Sequence, residues 1–89
     1  MSAPAALELR VWVTDVWDTV TVAATPGLTV AGMKAVALQQ AMGRPFDAAD
    51  HEVKYRGALI ADERQTLADL HVPNHAPFIV LPARRQPVR

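Results

Sequence analysis

Between Leu7 and Thr14 every second residue is apolar, with Leu7, Leu9, Val11 and Val13 pointing one way and Glu8, Arg10, Trp12 and Thr14 the other. That alternation is the signature of a half-buried strand. After Asp15-Val16-Trp17-Asp18 the alternation resumes in the β-branched run from Thr19 to Ala24. So short a connection predicts an antiparallel hairpin, with Val20 and Val22 on the buried side. Thr25-Pro26-Gly27 ends the second strand. Thr29 then stands where a hydroxyl caps a helix, and Val30, Met33, Ala37, Leu38 and Ala41 form an apolar stripe at helical spacing. A helix is therefore predicted from Val30 to Met42. Gly43 suits a left-handed cap and Pro45 prevents the helix from resuming. Gly32, in the first turn, is a weakness of about 1 kcal/mol against alanine.

Beyond a polar loop around Phe46, Glu52-Val53-Lys54-Tyr55-Arg56 alternates again and predicts a third strand with Val53 and Tyr55 facing inward. Gly57 permits a tight turn into a short fourth strand at Leu59-Ile60. From Asp62 to Leu70 the apolar groups are Leu67 and Leu70, which suits a loop ending in one short helical turn. Val72 to Pro77 is a turn with two prolines. Phe78-Ile79-Val80-Leu81 is a continuous apolar run of the kind found in the middle of a sheet, and Pro82 ends its pairing. The domain is expected over residues 7–82, with 1–6 and 83–89 as flexible termini.

The 89 residues allow one hydrophobic core. An apolar fraction of 51% against 20% charged marks a chain that folds. Nine basic residues cancel nine acidic ones, so no strong overall field draws the chain to nucleic acid or to an anionic membrane. The absence of cysteine excludes disulfides, thiolate metal sites and a thiol nucleophile. No apolar run is long enough to span a bilayer, and the start of the chain does not read as a secretory signal. The expected location is cytoplasmic.

The order of elements, a hairpin, one helix, two strands, a turn of helix and a last central strand, is that of the β-grasp fold. Thr29 to Ala35 resembles the start of the ubiquitin helix. Tyr55-Arg56-Gly57-Ala58-Leu59-Ile60-Ala61-Asp62-Glu63-Arg64-Gln65-Thr66-Leu67-Ala68-Asp69-Leu70 resembles that family's aromatic, small residue, glycine, leucine, acid, Thr-Leu-x-Asp stretch, and Phe78 to Leu81 resembles its last strand. The likeness covers roughly residues 7 to 85. It implies an α+β fold, a ubiquitin-like β-grasp with a four- to five-stranded mixed sheet packed on one helix. Conjugation and sulfur transfer in that family need a C-terminal Gly-Gly, whereas this sequence closes Arg84-Arg85-Gln86-Pro87-Val88-Arg89 and its last glycine is Gly57. The expectation is thus a bacterial protein of the non-conjugated prokaryotic type, resembling the YukD and EsaB proteins associated with type VII secretion, monomeric or weakly homo-oligomeric. A small non-catalytic subunit of a multicomponent enzyme is the alternative.

Ubiquitin's main recognition patch joins an isoleucine of the third strand to a valine of the last. The resemblance puts Lys54 at the isoleucine's position, Leu81 at the valine's, and Ile79 in place of a histidine. A charge there deters ordinary ubiquitin partners through its desolvation cost. Trp12, on the outward side of the first strand, and Trp17, at the hairpin tip, supply aromatic contact area. Arg84 and Arg85 add positive charge. These seven residues, Trp12, Trp17, Lys54, Ile79, Leu81, Arg84 and Arg85, form the expected protein-binding surface, the partner being another protein.

No catalytic, cofactor or metal site is expected. His51, His71 and His75 are the residues that could suggest zinc or a general base, but Val72-Pro73 breaks any helix that would align the last two. All three read as solvent-facing turn histidines. Asp62, Glu63 and Asp69 read as turn and capping groups. Lys34, at the margin of the helical stripe, is expected to bury its stem and to bring its ammonium to backbone carbonyls or an acid.

Overall fold

The computed structural model describes residues 7–43 and 48–83. The loop around Phe46 and the two termini, with Arg84 and Arg85, lie outside the described residues. Strands β1 (Leu7–Val13) and β2 (Asp18–Ala24) form the predicted hairpin, and helix α1 (Val30–Met42) follows. A single 3-10 turn, Ala48–Asp50, leads into β3 (His51–Tyr55), β4 (Ala58–Leu59) and β5 (Pro77–Pro82). The strands lie side by side in the order β2, β1, β5, β3, β4. The last strand pairs parallel to the first and antiparallel to β3. This mixed five-stranded sheet with one helix across it is the architecture that the order of elements implied.

The alternation along the strands carries the core. Leu9, Val11, Val13, Val22, Val53, Phe78 and Val80 point to one side of the sheet and are buried against Val30, Met33, Ala37 and Leu38 of α1. Tyr55, partly buried, stacks on Phe78 with ring centroids 4.7 Å apart. The helix begins and ends where its residue types dictate. The Gly32 amide donates to the Thr29 hydroxyl at 3.0 Å, and Gly43 takes the left-handed conformation (φ 61°) with its amide bonded to Gln39.

What the sequence pattern did not reveal is how the remaining first-turn amides are satisfied. Val30 and Ala31 donate to the carbonyls of Gln65 and Glu63, while Leu67 and Ala68 donate to those of Leu28 and Pro26. The segment from Asp62 to Leu70 is thus clamped to the helix start, and Leu67 at its centre is fully buried. Its expected helical turn is one bond, from the Leu70 amide to Thr66. A Cβ at Gly32 would meet Leu28 Cδ1 at 2.8 Å, so an alanine there requires the end of the Leu28 side chain to shift.

His51 departs from expectation. It opens β3 on the inward side, two residues before Val53, and is 8% exposed. Its Nε2 lies 3.0 Å from Asp15 Oδ2 in the β1–β2 turn. The alternation of β3 begins one residue earlier than predicted, and that shift turns a supposed loop histidine inward. His71 and His75 are exposed turn residues, as expected.

In the turn before Leu67, Asp62 accepts from the Arg64 guanidinium at 3.1 Å and from the Arg64 amide at 3.0 Å. These bonds, the guanidinium's first, hold the Asp62 carboxyl below its ordinary value. A lowered carboxylate stabilises the fold above its unfolded value and loses that contribution as pH falls through the folded one. Both groups are exposed, so the effect is on titration more than on stability. In an NMR pH titration Asp62 is expected to ionise below an ordinary aspartate and to move back towards it in Arg64→Ala.

Candidate interaction surface

The face of the sheet opposite the helix is built from the same alternation. Register places Thr19, Trp12, Ile79, Lys54 and Leu59 in one row crossing all five strands, with Trp12 paired to Thr19 and Ile79, and Lys54 paired to Ile79 and Leu59. At the usual strand separation this row runs about 19 Å. One pleat step away, Leu81 pairs with Glu52, and one step the other way Arg10 pairs with Thr21 and Pro77. Four of the seven expected contact residues, Trp12, Lys54, Ile79 and Leu81, therefore share one face. Arg84 and Arg85 lie outside the described residues.

Trp17 joins them through backbone conformation. It closes the turn after β1 with a left-handed φ of 53°, and its amide donates to the Thr14 carbonyl at 3.3 Å. This geometry lays its ring on that of Trp12, with centroids 5.3 Å apart and a tilt of 52°. The contact leaves Trp12 half-buried while Trp17 remains 78% exposed. Of the two readings of a tip tryptophan, folded back or reaching out, the structure combines both. Tilted aromatic pairs gain about 0.5–1.5 kcal/mol beyond the area they cover, so the pair forms a stable apolar platform.

Beside it, Thr14, Glu52, Lys54, Leu81 and Pro82 line an open groove of about 410 Å³. Leu59 is 51% exposed at the end of the row. Sequence reasoning missed Thr14, Glu52, Leu59 and Pro82 as members of the surface. Leu59 had been placed in a strand but given no role, and the pairing of Glu52 with Leu81 depends on a register that no local pattern announces.

Two other groups of charged residues serve the fold. Lys34, 5% exposed, donates from Nζ to the His51 carbonyl at 2.9 Å and pairs with Glu63 Oε1 at 2.6 Å. This fulfils the expectation of a buried stem with a carbonyl and an acid at its end. Glu63 lies in the segment clamped to the helix start, so one ammonium joins α1, β3 and that segment. His75 meets Glu8 through Nδ1 at 3.2 Å, and the Glu8 amide donates to Asn74 Oδ1 at 2.7 Å. These contacts fasten the turn before β5 to β1. No group of three or more His, Cys, Asp or Glu residues that could hold a metal occurs among the described residues.

Many solved structures are similar to the chain, among them the following two. Ubiquitin from Caldiarchaeum subterraneum matches with a TM-score of 0.74 at 14% identity, over 88% of this chain and 94% of that one. The ubiquitin-like domain of an Arabidopsis thaliana protein matches with a TM-score of 0.74 at 16% identity, over 100% of this chain and 89% of that one. No protein-family model matches the sequence, and no curated protein does. At such identities the likeness establishes the fold, which is the ubiquitin-like β-grasp.

Proposed function

We propose that this ubiquitin-like β-grasp domain is a non-covalent protein-interaction module whose working surface is the sheet face around Trp12, Ile79, Lys54 and Leu81. One observation carries the reading. Trp12 and Trp17, the aromatic residues most typical of binding hot spots, meet in a tilted pair on the side of the sheet away from the core, next to Ile79, Leu81 and an open groove. A fold that needed them only for stability would have turned them inward, where Phe78 and Tyr55 already lie. The module acts without catalysis and without conjugation. In support of the latter, no Gly-Gly pair occurs anywhere in the 89 residues, which fits the non-conjugated prokaryotic type, YukD/EsaB-like, with a cytoplasmic place of action.

Lys54, between Ile79 and Leu59 in the row, separates this surface from ubiquitin's. Any partner has to accept an ammonium between two apolar zones, and a wholly apolar complement would leave that charge desolvated. Photo-crosslinking tests the reading in cells. A photoreactive side chain at position 79 is expected to give a discrete adduct, and one at Gln40, on the exposed side of α1, is expected to give none. Trp12→Ala is expected to reduce the adduct by about tenfold or more, the loss typical of a hot-spot aromatic.

A further inference from the structure

The cations of the sheet face have no ionic partner among the described residues. Arg10, Lys54 and Arg56 form no ion pair among the described residues, whereas most of the acids are engaged. Glu8 pairs with His75, Asp15 with His51, Asp62 with Arg64 and Glu63 with Lys34. Asp18 and Asp69 accept from backbone amides at Thr19 and Thr66. Arg10, Lys54 and Arg56 thus bring three positive charges to the outward face at β1 and β3 near the tryptophan platform, with the carboxylates of Glu8 and Glu52 at the borders of that cluster. Arg10 stands one pleat step from Trp12, Lys54 is in register with Ile79, and Arg56 is exposed in the turn that follows β3. Glu52 and Asp50 lie towards the other end of β3, so the charge along that strand runs from positive to negative.

We propose that the partner of this face is an acidic protein segment in which carboxylates lie to one side of an apolar side chain. The proposal rests on the docking role of the face and adds the partner's chemistry. The apolar side chain occupies the groove against Leu81 and Pro82, and the carboxylates meet Arg10, Lys54 and Arg56 with charge-assisted hydrogen bonds. Complementarity also sets the direction of the segment, because a carboxylate at the groove's far end would face Glu52. A nucleic acid or an anionic membrane is a poorer complement. Either presents an extended run of phosphates, which needs a continuous basic field, and here that field is three side chains wide and stops at a carboxylate.

The test uses the full-length 15N-labelled protein and three synthetic peptides with one leucine followed on one side by aspartate and glutamate, by asparagine and glutamine, or by lysine. The acidic peptide is expected to shift the Trp12 indole and the Lys54, Ile79 and Leu81 amides, and the other two to leave them in place. Raising salt from about 50 to about 500 mM should weaken that binding several-fold by screening. An Arg10→Glu, Lys54→Glu double variant with a dispersed, native-like spectrum should bind at least about tenfold more weakly. Equal binding of the neutral or basic peptide at the same resonances overturns the acidic partner while leaving the docking face standing. Shifts confined to residues away from the sheet face overturn both. A DNA duplex or phosphatidylserine vesicles that shift the face more strongly than the acidic peptide, or no shift with any peptide at millimolar concentration, overturn the proposal.

Discussion

Phe78→Ala is expected to remove about 3–5 kcal/mol of stability, the usual cost of emptying a buried aromatic site. Phe78 is 1% exposed in the strand that pairs with both β1 and β3. Its loss strips one face of the Tyr55 ring, 4.7 Å away, and opens a cavity between the sheet and α1. Domains of this size have about 5–15 kcal/mol in total, so the variant will sit close to its unfolding threshold. Urea titration followed by far-UV circular dichroism measures the shift in midpoint. A shift equivalent to less than about 1 kcal/mol would mean that the site collapses without a cavity, contrary to the packing described.

Lys34→Met is the second large effect, at about 2–3 kcal/mol. The methionine fills the volume of the stem, so packing is largely kept, but the Glu63 carboxylate and the His51 carbonyl both lose their ammonium. Breaking a buried ion pair from one side leaves the other charge uncompensated, at about 3–5 kcal/mol when burial is complete. Glu63 keeps 23% of its side-chain exposure, and water makes up part of the difference. Combining Lys34→Met with Glu63→Gln is then expected to be less destabilising than the sum of the two single changes. A coupling of about 1–2 kcal/mol in a double-mutant cycle would measure the pair directly.

The parts of the fold readable in the sequence were those set by neighbours along the chain. Alternation from Leu7 to Val13 placed β1, and the Thr29 hydroxyl and Gly43 marked the two ends of α1 at the observed residues. Strand edges slipped by a residue because pairing is decided across the sheet. β3 starts at His51 and not Glu52, and β4 is Ala58–Leu59 and not Leu59-Ile60. The same non-local dependence hid the inward turn of His51, whose partner Asp15 is 36 positions away. On the candidate surface, Trp12 was legible because outward positions are normally polar and it is not, whereas Ile79 and Leu81 sit in a continuous apolar run and were placed there by the resemblance to ubiquitin. The Trp12–Trp17 contact depends on a left-handed residue at Trp17, a conformation that a tryptophan's identity does not foretell. Leu59 and Glu52 entered the surface only through strand register.

The separation of a stabilising inner face from a binding outer face is tested most directly by Trp12→Ala, through the yield of the position-79 crosslink adduct in cells at matched protein level. Trp12 is half-buried, with its ring against that of Trp17, so its removal is expected to cost about 2 kcal/mol of folding free energy, well short of the loss at Phe78. The domain should therefore remain folded while the adduct falls by about tenfold or more. An undiminished adduct from a folded Trp12→Ala protein, or a variant that no longer folds, would contradict the account.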